Sequence, residues 1–349
     1  EAFNKEIAGT SPAWDVSAVT TMEGMFQGAK AFDNEVKDTM KTWVTSAVTN
    51  TKNMFNGAEA FKRDIPTDGT KWKMTAVTDM EGMFQGAILF DQDIKTWDTT
   101  AVKNMKNMFN GAVAFNQELK PDTKKWVTIA VTSMEGMFQG AKKFDNGGTN
   151  TIQNWDFTAM TKTTNMFNGA EAFNQPIPYA TPKWKTTAVT DMEGMFQGAK
   201  IFNQELKTWD TKAVKNMKNM FNGAEAFNKE LKPDTDKWDV SAVTTMEGMF
   251  QGAKAFDNEV KDTMKTWVTS AVTNTKNMFN GAEAFKRDIP TDGTKWKMTA
   301  VTDMEGMFQG AKVFNQALLT WDTAAVKNMK NMFNGAVAFN KELAGTSPA

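Results

Sequence analysis

The stretch that decides the fold is Trp14-Asp15-Val16-Ser17-Ala18-Val19-Thr20-Thr21-Met22-Glu23-Gly24-Met25-Phe26-Gln27-Gly28-Ala29-Lys30-Ala31-Phe32. It returns, with substitutions, along the whole chain. Trp stands at 14, 43, 72, 97, 126, 155, 184, 209, 238, 267, 296 and 321, and a Phe follows each Trp by 18 residues. Only the segment from that Phe to the next Trp varies, spanning 7 or 11 residues. A fixed core with one variable join is the signature of a repeat architecture whose loops lie on one side.

A longer order sits above this one. Four units make a block of 112 residues, giving blocks 14–125, 126–237 and 238–349, each with the short join just before its fourth unit. The Met eight residues after Trp gives way to Thr at 51, 163 and 275, and residues 14–87 recur unchanged at 238–311. Phe3–Ala13 recurs as Phe339–Ala349 with one change, Ile7 to Leu343. Residues 1–13 therefore read as the completion of a preceding unit, and 1–349 as a single continuous solenoid cut from a longer array.

Within a unit, Val19, Met22, Met25/Phe26 and Ala29 fall at helical spacing. Thr20 with Glu23 reads as a capping box, and Gly28 as a helix stop. The W-D-V or W-V-T and F-N-Q-E-L segments have strand-like alternation. The expectation is a repeat solenoid of twelve leucine-rich-repeat-like coils, each a short strand plus a short helix or 3₁₀ turn. One such coil cannot bury enough apolar surface to offset its ordering entropy, so stability has to accumulate by stacking. A Gly at one place in every unit, Gly28 through Gly335, predicts a backbone need for positive φ or close packing.

The units also alternate in charge. Nine residues after Trp stand Glu23, Lys52, Glu81, Lys106, Glu135, Thr164, Glu193, Lys218, Glu247, Lys276, Glu305 and Lys330. Stacked at strand-like separations of ~4.8 Å, they predict a ladder of opposite charges that fixes register.

Composition bounds the chemistry. The chain has 41 acidic and 40 basic residues, with no His and no Cys. Nucleophilic systems built on His or Cys, thiolate or imidazole zinc sites and disulfides are excluded. Near-neutral charge gives no reason to expect nucleic acid. No apolar run approaches the ~20 residues of a membrane span. Carboxylates such as Asp33-Asn34-Glu35 and Asp91-Gln92-Asp93 are the one ready device for acid–base chemistry or calcium. They recur unit after unit, whereas a catalytic pair needs one distinctive environment, so polar turns are the reading. The Thr20, Thr49, Thr78, Lys103 row, which could suggest an ice- or glycan-binding face, reads as ordinary solvent-exposed surface. No catalytic, cofactor-binding, metal-ligating or specific binding residue is assigned.

The run Trp14-Asp15-Val16-Ser17-Ala18-Val19-Thr20, with Met25-Phe26-Gln27-Gly28-Ala29 and Phe202-Asn203-Gln204-Glu205-Leu206, resembles the repeat of BspA-like leucine-rich-repeat surface proteins and lipoproteins of bacteria. That resemblance implies a leucine-rich-repeat-like solenoid, exposed on the cell or secreted, and associated with adhesion or binding. Two functional readings follow. One is a non-enzymatic shaft of an extracellular fibre, sheath or surface filament, assembling by self-association or end-to-end continuation. The other is a surface adhesin that binds host protein or glycan through a solenoid face. An idealised, engineered repeat is a third reading of the same regularity.

Overall fold

In the computed structural model the described residues are 14–33, 39–66, 71–121, 125–177, 184, 186–206, 209–231, 238–257, 263–289 and 295–343. The expectation that residues 1–13 complete a preceding unit lies outside them. The chain divides into two compact units, Glu1–Pro176 with Thr181–Trp184, and Ile177–Ala180 with Lys185–Ala349. Each is a solenoid of stacked repeats, numbered here 1 to 12 by their Trp.

The winding of a repeat is not helical. From Met22 to Ala29 the backbone makes successive turns closed by i to i−3 bonds: Met25 N to Met22 O (3.2 Å), Gln27 N to Gly24 O (3.0 Å) and Ala29 N to Phe26 O (3.1 Å). The intervening amides point along the solenoid axis. Met22, Gly24, Phe26 and Gly28 donate to Asn50, Lys52, Met54 and Asn56 of repeat 2 at 2.7–2.9 Å. Every second N–H thus bonds forward to the next repeat, as in a parallel ladder, while its neighbours close turns. Four such bonds at ~0.5–1.5 kcal/mol each hold one repeat on the next.

This corrects two expectations. Of the short helix or 3₁₀ turn expected in each coil, the helix is absent and turns closed by i to i−3 bonds take its place: among the described residues the only helices are 3₁₀ segments, Thr39–Thr42, Asn146–Gly148, Asn150–Asn154 and Thr263–Thr266, all in the variable joins. The apolar spacing arises from turns that advance in small steps, which brings Val19, Met22, Phe26 and Ala29 inward much as a helix would. The short strand is likewise reduced to single bridges: one antiparallel, Asp98 with Lys125, and otherwise parallel ones seven residues after Trp. They run Thr21, Asn50, Asp79, Asn104, Ser133, Lys162 in one unit and Asp191, Asn216, Thr245, Asn274, Asp303, Asn328 in the other. Pairing falls inside the segment that read as helical, because turn closure interrupts any longer ladder.

The turns explain two residue choices. The third residue of the turn Met22–Met25 is Gly24, at φ 61°, and its counterpart in repeat 2 is Asn53, at φ 54°. Glycine and asparagine are the residues that tolerate this left-handed region at a turn. Gly28 stands third in the turn Phe26–Ala29 at φ 74°, so the expected positive φ of the glycine row is observed.

The core is two columns of phenylalanine. Phe26, Phe55, Phe84, Phe109, Phe138 and Phe167 succeed one another at 5.4–5.7 Å between ring centroids. In the second unit Phe196, Phe221, Phe250, Phe279, Phe308 and Phe333 do the same at 5.6–5.7 Å. The closing Phe of each repeat packs on the column member of its own coil, as Phe250 on Phe256 at 4.0 Å. Tryptophans stack in shorter runs, Trp43 on Trp72 on Trp97 at 6.1 and 6.5 Å and Trp267 on Trp296 on Trp321 at 6.1 and 6.4 Å. Replacing Phe250, which is fully buried, by Ala should destabilise the second unit by about 3–5 kcal/mol, read as a lowered midpoint in urea unfolding.

Candidate functional site

Side chains on the outside of each repeat are spent mainly on the next repeat. The row nine residues after Trp forms the ladder that the charge alternation predicts. Lys52 Nζ stands 3.1 Å from Glu81, Lys218 3.2 Å from Glu247 and Lys276 2.8 Å from Glu305, while Lys106 and Glu135 are 4.0 Å apart. The rungs are unequal in kind. In these four rungs each Lys pairs with the Glu that follows it, and Glu81 and Glu305 are bound from the other side by an amide instead of a second Lys. Asn104 Nδ2 donates to Glu81 at 3.0 Å and Asn328 Nδ2 to Glu305 at 3.0 Å.

A second charged row, sixteen residues after Trp, was not read from the sequence. Lys30 pairs with Glu59 (2.9 Å), Lys142 with Glu171 (3.3 Å), Lys254 with Glu225 (2.8 Å) and Lys312 with Glu283 (2.8 Å). In repeats 3 and 4 the row turns apolar at Ile88 and Val113, with Leu89 beside them half exposed. All these pairs are largely solvated and contribute register more than stability.

The carboxylates considered for chemistry have structural partners. Asp33 is buried; its Oδ1 accepts the Lys62 backbone N–H (3.2 Å), and its Oδ2 faces Arg63 Nε at 3.5 Å. Asn34 and Glu35 lie outside the described residues. Asp91 Oδ1 accepts the Asn116 N–H (2.8 Å), whereas Asp93 accepts the N–H of Lys95 and pairs with its ammonium. Asp33 and Asp91 belong to a further row, nineteen residues after Trp, in which an Asn or Asp side chain caps the N–H one repeat on. Asn116 so receives Asp145 N, Asp145 receives Asn174 N and Asn228 receives Asp257 N, at 2.8–2.9 Å. The threonine row is engaged too: Thr49 Oγ1 donates to Thr20 O (3.1 Å) and Thr273 Oγ1 to Thr244 O (3.1 Å). Thr20 does not cap a helix; Thr21 Oγ1 accepts the Glu23 N–H at 3.3 Å, closing a side-chain turn. Among the described residues no group of three or more acidic side chains is placed to hold a metal ion. No helix of these residues is long and apolar enough to cross a membrane.

The repeating winding defines a solenoid class, and comparison places the chain within it. A family model described as "Mycoplasma protein of unknown function, DUF285" matches residues 1–71, 65–180, 146–262, 178–291 and 257–346. The chain belongs to that family, and the resemblance of its motif to BspA-like leucine-rich-repeat surface proteins stands with the match. A search of curated proteins finds no match. Among solved structures the chain is similar to a leucine rich cell surface protein from Faecalibacterium prausnitzii A2-165, at 13% identity over 81% of this chain and 87% of that one, with a TM-score of 0.30. It is similar also to the TLR13–ssRNA13 complex, at 10% identity over 86% of this chain and 45% of the other, with a TM-score of 0.26.

The ladder has a pH signature. Hydrogen bonds from Lys276, then from Asn328, hold the Glu305 carboxyl below its ordinary value, and the bond to Glu305 holds Lys276 above its own. A depressed carboxyl contributes fully above the unfolded glutamate pKa of ~4.3 and is lost as pH falls through the folded value. The raised lysine contributes below ~10.4 and is lost as pH climbs through its folded value. Amide protection across repeats 10 and 11, corrected for intrinsic exchange, should be flat between these limits and decline outside both. At neutral pH, Glu247→Lys should set a third positive charge between Lys218 and Lys276 and remove the acceptor of Asn274 Nδ2, now bonded at 3.2 Å. Exchange of the Asn219 amide, which donates to Glu247 O at 2.8 Å, should accelerate about fivefold, the equivalent of ~1 kcal/mol. Glu247→Gln should change it far less.

Proposed function

We propose that this chain is a non-enzymatic structural repeat protein. Its twelve coils would make one continuous solenoid, a length of shaft in a fibre, sheath or surface filament on or outside a bacterial cell. The observation that carries the reading is where the outer side chains go. Charged, Thr and Asx rows all bond from one repeat to the next, and rungs recur between blocks, Lys52–Glu81 as Lys276–Glu305 and Lys106–Glu135 as Lys218–Glu247. A surface organised this way favours axial register over one distinctive patch. Family membership supports a repeat protein of this type, and the BspA-like resemblance supports the extracellular setting.

One feature favours the adhesin reading, in which host protein or glycan is bound. Ile88 and Leu89 are 40% and 48% exposed where the outer Lys/Glu row is interrupted, and Ile129 is 57% exposed. Ile88 and Ile129 are specific to single repeats, as a recognition patch would require, while Leu89 has exposed counterparts in Ile201 and Val313 of the later blocks.

Electron microscopy of the native material tests the shaft directly. Unbranched filaments built from stacked coils are expected, and discrete particles with covered ends would overturn it. The adhesin reading expects Ile88→Ser with Leu89→Asp to abolish adherence to host cells while leaving the filaments unaltered.

A further inference from the structure

The alternation of Gly and Asn at the first turn does more than satisfy φ. A Cβ placed on Gly82 would stand 2.3 Å from Asn53 Oδ1 of the preceding repeat, and the same overlap recurs at Gly136 with Asn107 (2.3 Å), Gly248 with Asn219 (2.2 Å) and Gly306 with Asn277 (2.3 Å). The side chain of an even, asparagine-type repeat thus lies in space that the glycine of the next repeat leaves open. There it has a second task. Asn53 Oδ1 accepts from Asn56 Nδ2 at 3.1 Å, Asn107 Oδ1 from Asn110 at 3.2 Å, Asn219 Oδ1 from Asn222 at 3.1 Å and Asn277 Oδ1 from Asn280 at 3.1 Å.

The braced residues share a reactive setting. They open the dipeptides Asn56-Gly57, Asn110-Gly111, Asn222-Gly223 and Asn280-Gly281, each inside the same tetrapeptide, Phe-Asn-Gly-Ala. Asparagine before glycine is the pair most prone to lose its side-chain amide, because glycine has no Cβ to hinder its nitrogen from reaching the asparagine carbonyl carbon. In that reaction Gly N forms a bond to Asn Cγ, the Cγ–Nδ2 bond breaks, and Nδ2 leaves as ammonia with the proton that Gly N gives up. Water then opens the five-membered succinimide at either carbonyl, leaving Asp or isoaspartate. Odd repeats carry Gln27-Gly28, Gln85-Gly86 or Gln251-Gly252 at this place, where the ring would have six members and closes far more slowly.

Both reacting groups are tied down at the junction between repeats. The nucleophile is engaged: Gly57 N donates to Gln85 O, Gly111 N to Gln139 O and Gly223 N to Gln251 O at 2.6 Å, and Gly281 N to Gln309 O at 2.7 Å. The electrophile is held by its brace, and Asn222 and Asn280 Nδ2 also reach Gln251 and Gln309 Oε1 at 3.4 Å. Ring closure needs the Gly N–H freed from its acceptor and the Asn side chain turned back toward it. Opening of the junction releases both.

We propose that Asn56, Asn110, Asn222 and Asn280 are deamidation sites gated by the junctions they face. They are silent while the next repeat is seated and reactive when that junction opens, so each records its opening in a covalent change. The mark also weakens the junction that bears it. Deamidation of Asn222 replaces the Nδ2 donor by a carboxylate oxygen, an acceptor set against the acceptors Asn219 Oδ1 and Gln251 Oε1. Isoaspartate further adds a backbone carbon to a winding whose amides must alternate between turn and neighbour.

The test is ageing of the 349-residue chain in mildly alkaline buffer, with Asp and isoaspartate counted at each site by peptide mapping and mass spectrometry. A synthetic Phe-Asn-Gly-Ala peptide with blocked ends gives the unrestrained rate, and the folded chain should lag it at least about tenfold. Because the four sites share one tetrapeptide, differences between them report their junctions. Glu247→Lys loosens the junction of Asn222 and should speed its deamidation by the same factor as exchange of the Asn219 amide, leaving Asn56 and Asn110 unchanged. Gly248→Asn keeps a residue suited to positive φ, as Asn53 shows, and turns Asn219 Oδ1 away from Asn222. Loss of that one hydrogen bond should speed Asn222 about fivefold. Asn222→Asp imitates one product without ageing and should accelerate exchange of the Asn219 amide at least about threefold. One common rate for folded chain and peptide would overturn the gate, as would equal acceleration of all four sites in both variants. Unchanged exchange in Asn222→Asp would overturn the weakening of the marked junction.

Discussion

Everything in this molecule depends on one arrangement of the backbone: amides that alternate between closing a turn in their own repeat and bonding the next repeat forward. The two sets cannot be separated. Without the turns, Met22, Gly24, Phe26 and Gly28 would not present their N–H groups along one direction. Without the forward bonds, a string of turns would have no reason to persist. The phenylalanine columns follow, because the turns fix where Phe26 points and the forward bonds bring Phe55 to 5.4 Å from it. Stability is then a property of junctions between repeats, as one-dimensional repeat arrays require.

The outer surface makes the same point in polar chemistry. Three kinds of side-chain row run from repeat to repeat, and each solves a different problem. The Lys–Glu rungs hold like charges apart. The Asn and Asp capping row satisfies amides that the turns leave unpaired. The threonine row gives backbone carbonyls a second donor. None of them converges on a point, and convergence is what catalysis or metal binding demands.

Much of this was legible in the sequence. Tryptophan spacing gave the repeat, the 7- or 11-residue join gave the variable side, and alternation of Glu and Lys gave a ladder that the structure draws at 2.8–4.0 Å. The helix was a misreading with a physical cause. Residues 19, 22, 26 and 29 fit a period near 3.6, yet a series of three-step turns places the same residues inward. The discriminating signal stood in the middle of the supposed helix: Gly24 in one repeat and Asn53 in the next, both poor helix formers and both at home at positive φ. Strand pairing was misplaced for a related reason, since a bridge one residue long at Thr21 or Asn50 leaves no alternating pattern. The capping role of Asp33, Asp91 and Asn116 was hidden because its acceptor and donor lie one full repeat apart. The sequence marked Asp33 and Asp91 as polar turn residues without saying which amide each serves, and put Asn116 in a strand-like F-N-Q-E-L segment.

The fit of asparagine against glycine also has a genetic aspect. Tandem arrays change length when repeats are gained or lost by slippage between similar copies. Here an odd step would bring two asparagine-type repeats together, and the Cβ of the second would stand as close to the Oδ1 of the first as one built on Gly82 stands to Asn53, 2.3 Å, so that side chain would have to turn away. Only even steps preserve the order, and the block of 112 residues, four repeats long, is such a step. A contact of a few ångströms therefore favours arrays that grow in twos.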